Sequence, residues 1–143
     1  MSFSLDLKKF ADKFEKKSDI VVRKIILDIS RKIVFRTPVG DADFWASKPP
    51  IGYVGGRARA NWQHGESLGS SVLDKVDKSG SKTLSLISGS VGHQPAGKKH
   101  YLFNNVPYII PLEEGKLSPR QAPNGMVGLT VLEYQKIVKD AVK

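Results

Sequence analysis

The sequence predicts an α+β fold: a long N-terminal helix and a C-terminal helix packed on a small antiparallel sheet, with long irregular loops. Three observations carry that expectation. Apolar residues near the N-terminus recur at helical spacing. A middle stretch from Leu68 to Val76 alternates apolar and polar residues. A Thr-x-x-Glu signature, Thr130 to Glu133, then precedes a short amphipathic run at the C-terminus. Helical period reads as 3.6 and strand period as 2, so the segments separate by pattern alone.

The N-terminal region, residues 1–36, comes first. Phe3, Leu7, Phe10, Phe14, Val21, Val22, Ile25, Ile29 and Ile33 form one stripe, with Lys8, Lys9, Lys13, Lys16, Arg23, Lys24 and Arg31 opposite. Steps of three or four residues are those of one helix face. The stripe has one gap at residues 16–19, where Ser18 and Asp19 are good N-caps. The pattern therefore predicts one helix over 4–35 or two helices joined at that gap. Unbroken, it would extend about 48 Å and overhang the core, offering contacts to a neighbour. Pro38 ends it, because proline disfavours helical geometry in Thr37 and cannot continue the ladder.

Residues 37–65 hold a long loop and a basic motif. Pro38, Pro49 and Pro50 with Gly40, Gly52, Gly55 and Gly56 exclude regular structure over 38–56, yet Phe44, Trp45, Ile51 and Tyr53 fall there. Loops of this length usually serve a function or order against a neighbour; tucking onto the chain's own core is the plain alternative. Residues 66–103 are read as antiparallel strands. Leu68, Ser70, Val72, Asp74 and Val76 pair with Leu84 and Leu86 in a hairpin turned at residues 77–81, 89–99 form a surface loop, and His100–Phe103 add a third strand. Residues 104–130 are turn and loop, with a helical turn over Ile109–Glu114 stopped by Gly115. Thr130 and Glu133 form a capping box, and a last helix runs over 131–142 along Val131, Tyr134, Val138 and Ala141. The whole, 1–143, is expected to be a single domain.

Composition narrows the function classes. The chain has 143 residues, 40% hydrophobic and 26% charged, an ordinary globular balance. There is no cysteine, which excludes disulfides and thiolate metal sites. No apolar run nears the roughly 20 residues of a membrane span. Asp6, Lys8, Lys9 and Asp12 interrupt any signal-peptide pattern, so a secreted or membrane-spanning chain is not expected. The net charge of +9 points to a polyanion or an acidic protein surface nearby, or equally to a soluble basic surface with no anionic ligand, because the lysines are scattered and no run of five basic residues occurs.

Chemistry-bearing patterns are sparse. His64, His93 and His100 lack metal-ligand spacing, and Asp41 with Asp43 is too short a signal for a cation site. No nucleophile elbow is present. Glu113 and Glu114 are adjacent, so their side chains diverge and do not act as a paired acid and base. Gly55-Gly56-Arg57 has the composition of a phosphate cradle but matches no nucleotide fingerprint. The preferred reading is that Arg57 and Arg59 hold carboxylates such as Glu113 and Glu114, within the fold or across an interface. Trp62, beside Asn61, suits a core or interface anchor. No catalytic, cofactor or metal residue is expected. A hydrolase using His64 or His100 rests on residue availability alone.

Several motifs together resemble a known family. Thr37-Pro38-Val39 and Gly55-Gly56-Arg57-Ala58-Arg59-Ala60-Asn61-Trp62 are followed by Asn104-Asn105-Val106-Pro107-Tyr108-Ile109, Leu112-Glu113-Glu114-Gly115 and Gln121-Ala122-Pro123-Asn124-Gly125-Met126-Val127. Their order is similar to that of the tail-completion, or neck, proteins of long-tailed bacteriophages, the family of lambda's minor tail protein Z. The resemblance covers about residues 20–140. It implies a non-enzymatic virion protein at the head-to-tail junction, made in the host cytoplasm, with an α+β fold and no cofactor. It also implies partners: copies of itself in a ring, expected as a hexamer, the neighbouring head-completion and tail-terminator or tail-tube proteins, and DNA passing through the lumen. No membrane and no small-molecule substrate are expected. Arg57, Arg59, Asn61, Trp62, Pro107, Tyr108, Glu113, Glu114 and Gly115 are the interface or structural candidates. The rival from another class is a basic nucleic-acid-binding module, which would gather its cations and stacking aromatics on one face.

Overall fold

A computed structural model describes residues 2–6, 18–40, 51, 54–94, 97–117 and 121–142. The first helix, α1 (Ser18–Arg36), begins at the capping residues and stops one residue before Thr37-Pro38. Its 19 residues extend about 28 Å. Val22, Ile25, Ile26, Ile29, Ile33 and Val34 are all buried, at 0–6% exposure, and form the spine of the core.

The expected helix over 4–35 is therefore shorter at its N-terminal end. Residues Ser2–Asp6 form a strand, β1. The pattern Ser-Phe-Ser-Leu-Asp alternates with period two, and β3 (Lys99–Phe103) offers it an antiparallel partner in the register Ser2↔Phe103 to Asp6↔Lys99. Long-range pairing overrides the helical reading of so short a run. The overhang proposed for contacts is thus not a feature of α1, and residues 7–17 lie outside the described residues.

After α1 come α2 (Arg57–Ala60) and β2 (Gln63–Gly65). β2 pairs antiparallel with β3, Gln63 opposite Phe103 and Gly65 opposite Tyr101. The sheet order β1-β3-β2 puts the predicted third strand at its centre. The expected hairpin over 66–88 does not form. Residues 66–80 are irregular, and Ser81–His93 form a helix, α3. Thr83, Ile87 and Val91 recur every four residues and are buried against α1, which is a helical period. The Leu84/Leu86 alternation is only two residues long, too short to outweigh it. This helix also takes residues 89–93 of the expected 89–99 loop and covers β2.

The remaining helices are α4 (Ile109–Glu113), α5 (Val127–Leu132) and α6 (Tyr134–Ala141). Pro111 is tolerated in α4 because it lies in the first turn, where an N–H has no intrahelical acceptor. Gly115, at φ 78°, ends it as expected. The predicted C-terminal helix is split at Glu133, and the capping box is not formed. Thr130 lies inside α5, where its hydroxyl bonds back to Met126 O at 2.7 Å. Glu133 turns instead to Lys32 at 2.8 Å and Arg36 at 2.6 Å, tying the α5–α6 corner to α1.

The cap of α5 is Glu113. Its carboxylate accepts from the backbone N–H groups of Met126 (2.7 Å), Val127 (3.1 Å) and Gly128 (2.8 Å). These are free donors at a helix start, and the negative charge suits that end of the dipole. Gly125 lets the carboxylate approach: its φ is 78°, and a Cβ there would lie 2.7 Å from Glu113 Oε1. Ile109, Leu112, Met126, Val127, Ile137 and Ala141 join the α1 spine, with Ile87, Val91 and Leu102, in one buried cluster. Among the described residues, no helix is long and apolar enough to cross a membrane. We predict that Glu113→Ala destabilises the chain by about 0.5–2 kcal/mol, the usual range for a lost N-cap, read from the urea midpoint.

Candidate functional site

The basic motif folds into a hub at the C-terminal end of α1. Gly56 starts it. Its N–H donates to Val39 O at 2.7 Å, and its carbonyl accepts from Ala60 N and Asp77 N, both at 3.0 Å. With φ at 100° and Lys78 N only 2.8 Å from the position of a Cβ, this residue has to be glycine. Ala58 and Ala60 are small and buried, which lets α2 lie close to the core.

Arg57 and Arg59, two residues apart on this turn, differ in exposure: Arg57 is exposed, Arg59 partly buried. Arg59 donates to three backbone carbonyls: Thr37 O through Nε at 2.8 Å, Phe35 O through Nη2 at 3.0 Å, and Lys78 O through Nη1. A guanidinium carries five donors in a fixed fork, so one side chain serves three acceptors. Burial lowers its pKa, and the charge of Asp77 acts in the opposite direction.

The expected arginine–carboxylate pairs are not made among the described residues. Glu113 caps α5, and Glu114 pairs with Lys116 at 2.6 Å. The physical reason is the helix end. The last carbonyls of α1 lack intrahelical donors, and Arg59 is placed to satisfy them. The phosphate-cradle reading loses its backbone donor at Gly56, whose N–H is bound to Val39 O, while the Arg57 side chain is exposed.

Trp62 is 2% exposed, and its indole N–H donates to Thr37 Oγ1 at 2.8 Å. That hydroxyl donates in turn to Ile33 O at 2.7 Å. Asn61, fully buried, holds the irregular segment by two bonds: Leu73 N–H donates to Oδ1 at 2.6 Å, and Nδ2 donates to Leu73 O at 3.1 Å. Asn104, also fully buried, donates to Ala58 O at 2.8 Å. Tyr108 is half-buried at the start of α4 and packs against the core, while Pro107 is exposed beside it. The loop aromatics Phe44, Trp45 and Tyr53, with Asp41 and Asp43, lie outside the described residues.

Two groups escape the sequence reading. Asp77 is buried and caps α3 from upstream, accepting from Thr83 N–H and Thr83 hydroxyl, each at 2.8 Å, and from Gly80 N–H at 3.1 Å. Burial pushes its carboxyl upward, but the bonds from Thr83, Ser79 and Gly80 outweigh it and hold it below the usual value. The second group joins His64, Ser90 and His100. Ser90 Oγ donates to His64 O at 3.1 Å, so it accepts from His64 Nδ1–H at 2.7 Å. His64 Nε2 then accepts from His100 Nδ1–H at 2.8 Å.

One hydroxyl and two rings thus link β2, α3 and β3. The adjoining cavity, lined by Ile26, Ile29, Ser30 and Leu102, has room for about one water at ≈ 10 Å³. No spacing rule could have found this trio, because its members come from β2, α3 and β3. Among the described residues, no cluster of three or more His, Asp or Glu side chains could hold a metal ion. Compared with protein-family models, curated proteins and solved structures, the chain matches none.

Two predictions follow from this geometry. Trp62→Ala costs about 3–5 kcal/mol as a large buried truncation. Trp62→Phe costs less, about 1–3 kcal/mol, with the Thr37 bond lost; denaturant titration of both variants checks the order. Burial, with the charge of His100, lowers the His64 pKa to about 4. Between pH 6.5 and about 4 the unfolded chain takes up a proton that folded His64 refuses. Stability is therefore full above pH 6.5 and falls as pH drops through that window. Urea midpoints at stepped pH should fall more steeply for the native chain than for His64→Gln.

Proposed function

We propose that this chain is a structural subunit that works by docking on other protein chains, as a neck or tail-completion protein of a long-tailed phage. In this reading it forms a ring, of six copies, at the joint between the DNA-filled head and the tail. The observation that carries the proposal is where the resemblance motifs go. They bind one another. Thr37 holds Trp62, Val39 holds Gly56, Asn104 holds Ala58, and Glu113 holds Met126 to Gly128. Motif residues that bind one another in this way are those of a scaffold. A catalytic motif would instead leave donors and acceptors facing a cleft.

A scaffold of this kind acts through its surface. Leu68, Val72, Val76, Leu86, Ile110, Leu117 and Leu132 are large apolar side chains at 43–83% exposure. A closed ring uses a heterologous interface, so each copy presents two different patches. The surplus of positive charge faces DNA in the lumen or acidic neighbours on either side.

Cross-linking mass spectrometry on purified particles of the encoding phage tests the placement. This chain should cross-link to head-connector and tail proteins together. Its absence from finished, joined particles would sink the proposal. Trp62→Ala should further yield unjoined heads and tails, counted by electron microscopy.

A further inference from the structure

Residues 68–76 alternate like a strand in sequence, and the fold treats them as one on a single side. Gly69 O accepts from Asn105 Nδ2 at 2.9 Å, and Ser71 O from Asn105 Nδ2 and Gln63 Nε2, both at 3.0 Å. Leu73 exchanges two bonds with Asn61. Bonds at every second residue are those of an extended chain. Three amide side chains thus stand where a neighbouring strand would pair. Among the described residues, no hydrogen bond reaches the backbone groups of Ser70, Val72 or Asp74.

Leu68, Val72 and Val76 are 52%, 43% and 46% exposed and alternate with the exposed Ser70 and Asp74 along the segment. An unpaired edge of this kind is a template for another strand. At its end, a groove of ≈ 450 Å³ opens between residues 75–77 and the first turns of α3. Val76 and Leu86 supply its apolar part, with Lys75 and Lys82 beside them. Neither lysine pairs with a carboxylate among the described residues. The one acid there, Asp77, is buried, and both of its oxygens are bound by Thr83, Gly80 and Ser79. Lys78 and Arg57, both exposed, adjoin the same corner through the Gly56–Asp77 bond.

We propose that this edge and groove receive an extended, acidic segment of another protein, added as a strand, with apolar residues at every second position. Backbone pairing along 70–74 supplies the affinity, and the lysine-lined groove selects negative charge. A second copy is a poor occupant, because a chain of net charge +9 would bring cations to cations. The inference rests on the reading of the chain as a docking subunit and not on its placement at the head–tail joint.

Fluorescence anisotropy on the isolated full chain tests it, using a labelled peptide that alternates valine with glutamate. That peptide should bind. Affinity should fall by about tenfold or more, roughly 1.4 kcal/mol, in each of three cases: lysine replacing glutamate, N-methylation of alternate peptide amides, and the Lys75→Glu/Lys82→Glu variant. Both lysines are exposed, and circular dichroism should show that variant folded. Equal binding of the glutamate and lysine peptides, indifference to N-methylation, or no binding at millimolar peptide would each overturn the proposal. So would self-association in sedimentation that Val72→Lys abolishes, because a second copy would then be the occupant. Failure here leaves the particle cross-linking to decide the neck placement by itself.

Discussion

At its C-terminal end, α1 runs out of hydrogen-bond donors while it is still packed against the rest of the molecule. A helix leaves its last carbonyls without intrahelical partners. Arg59 meets two carbonyls at that end, Phe35 O and Thr37 O, and takes Lys78 O with the same fork. Trp62 closes the corner by binding the Thr37 hydroxyl, which itself returns to Ile33 O. The other described segments are arranged around that corner. Gly56 brings in residues 39 and 77, and Asn104 brings in the strand-to-α4 turn through Ala58 O. Without the guanidinium, three carbonyls from two distant segments would lose their donors together.

The same solution recurs elsewhere. The sheet has three short strands, so ladders pair little of the backbone outside the helices. Polar side chains take over. Asp77 serves the start of α3, Glu113 the start of α5, and Asn61, Gln63 and Asn105 the segment over 69–73. Each captures two or more main-chain groups. Burying a polar side chain is tolerable when its own bonds are complete, and these polar contacts make irregular chain specific rather than loose. The His64–Ser90–His100 chain belongs to this set, joining β2, α3 and β3 through two rings and a hydroxyl.

The elements legible in the sequence were those whose signal is local. The start of α1 at Ser18, its end before Pro38, the centre strand around His100–Phe103 and the Gly115 stop each rest on a cap, a breaker or a short pattern. The misread elements depend on partners far along the chain. Residues 2–6 become a strand because residues 99–103 lie beside them. Residues 81–93 become a helix because Thr83, Ile87 and Val91 meet α1, while Asp77 caps them from four residues upstream. Trp62 was recognisable as an anchor from its bulk and its single N–H. The roles of Arg59 and Glu113 were not, because charge suggests pairing with charge. A helix end with unpaired backbone groups competes for the same side chain, and among these residues it wins.

Asn61 links the hub to the surface. Its backbone follows α2 and precedes Trp62, and its side chain grips Leu73 from both sides. The residue is fully buried, so the position of the grip is set by the core rather than by solvent. Residues 69–73 therefore hold an extended course without a strand beside them, and their outer edge is presented in a fixed orientation. Pre-ordering lowers the entropy lost when a partner strand is added, which is where much affinity is otherwise forfeited. A flexible loop with the same sequence would expose the same Val72 and Val76 and gain far less from them. The buried asparagine, rather than the exposed apolar residues, is what makes that edge ready to receive a strand.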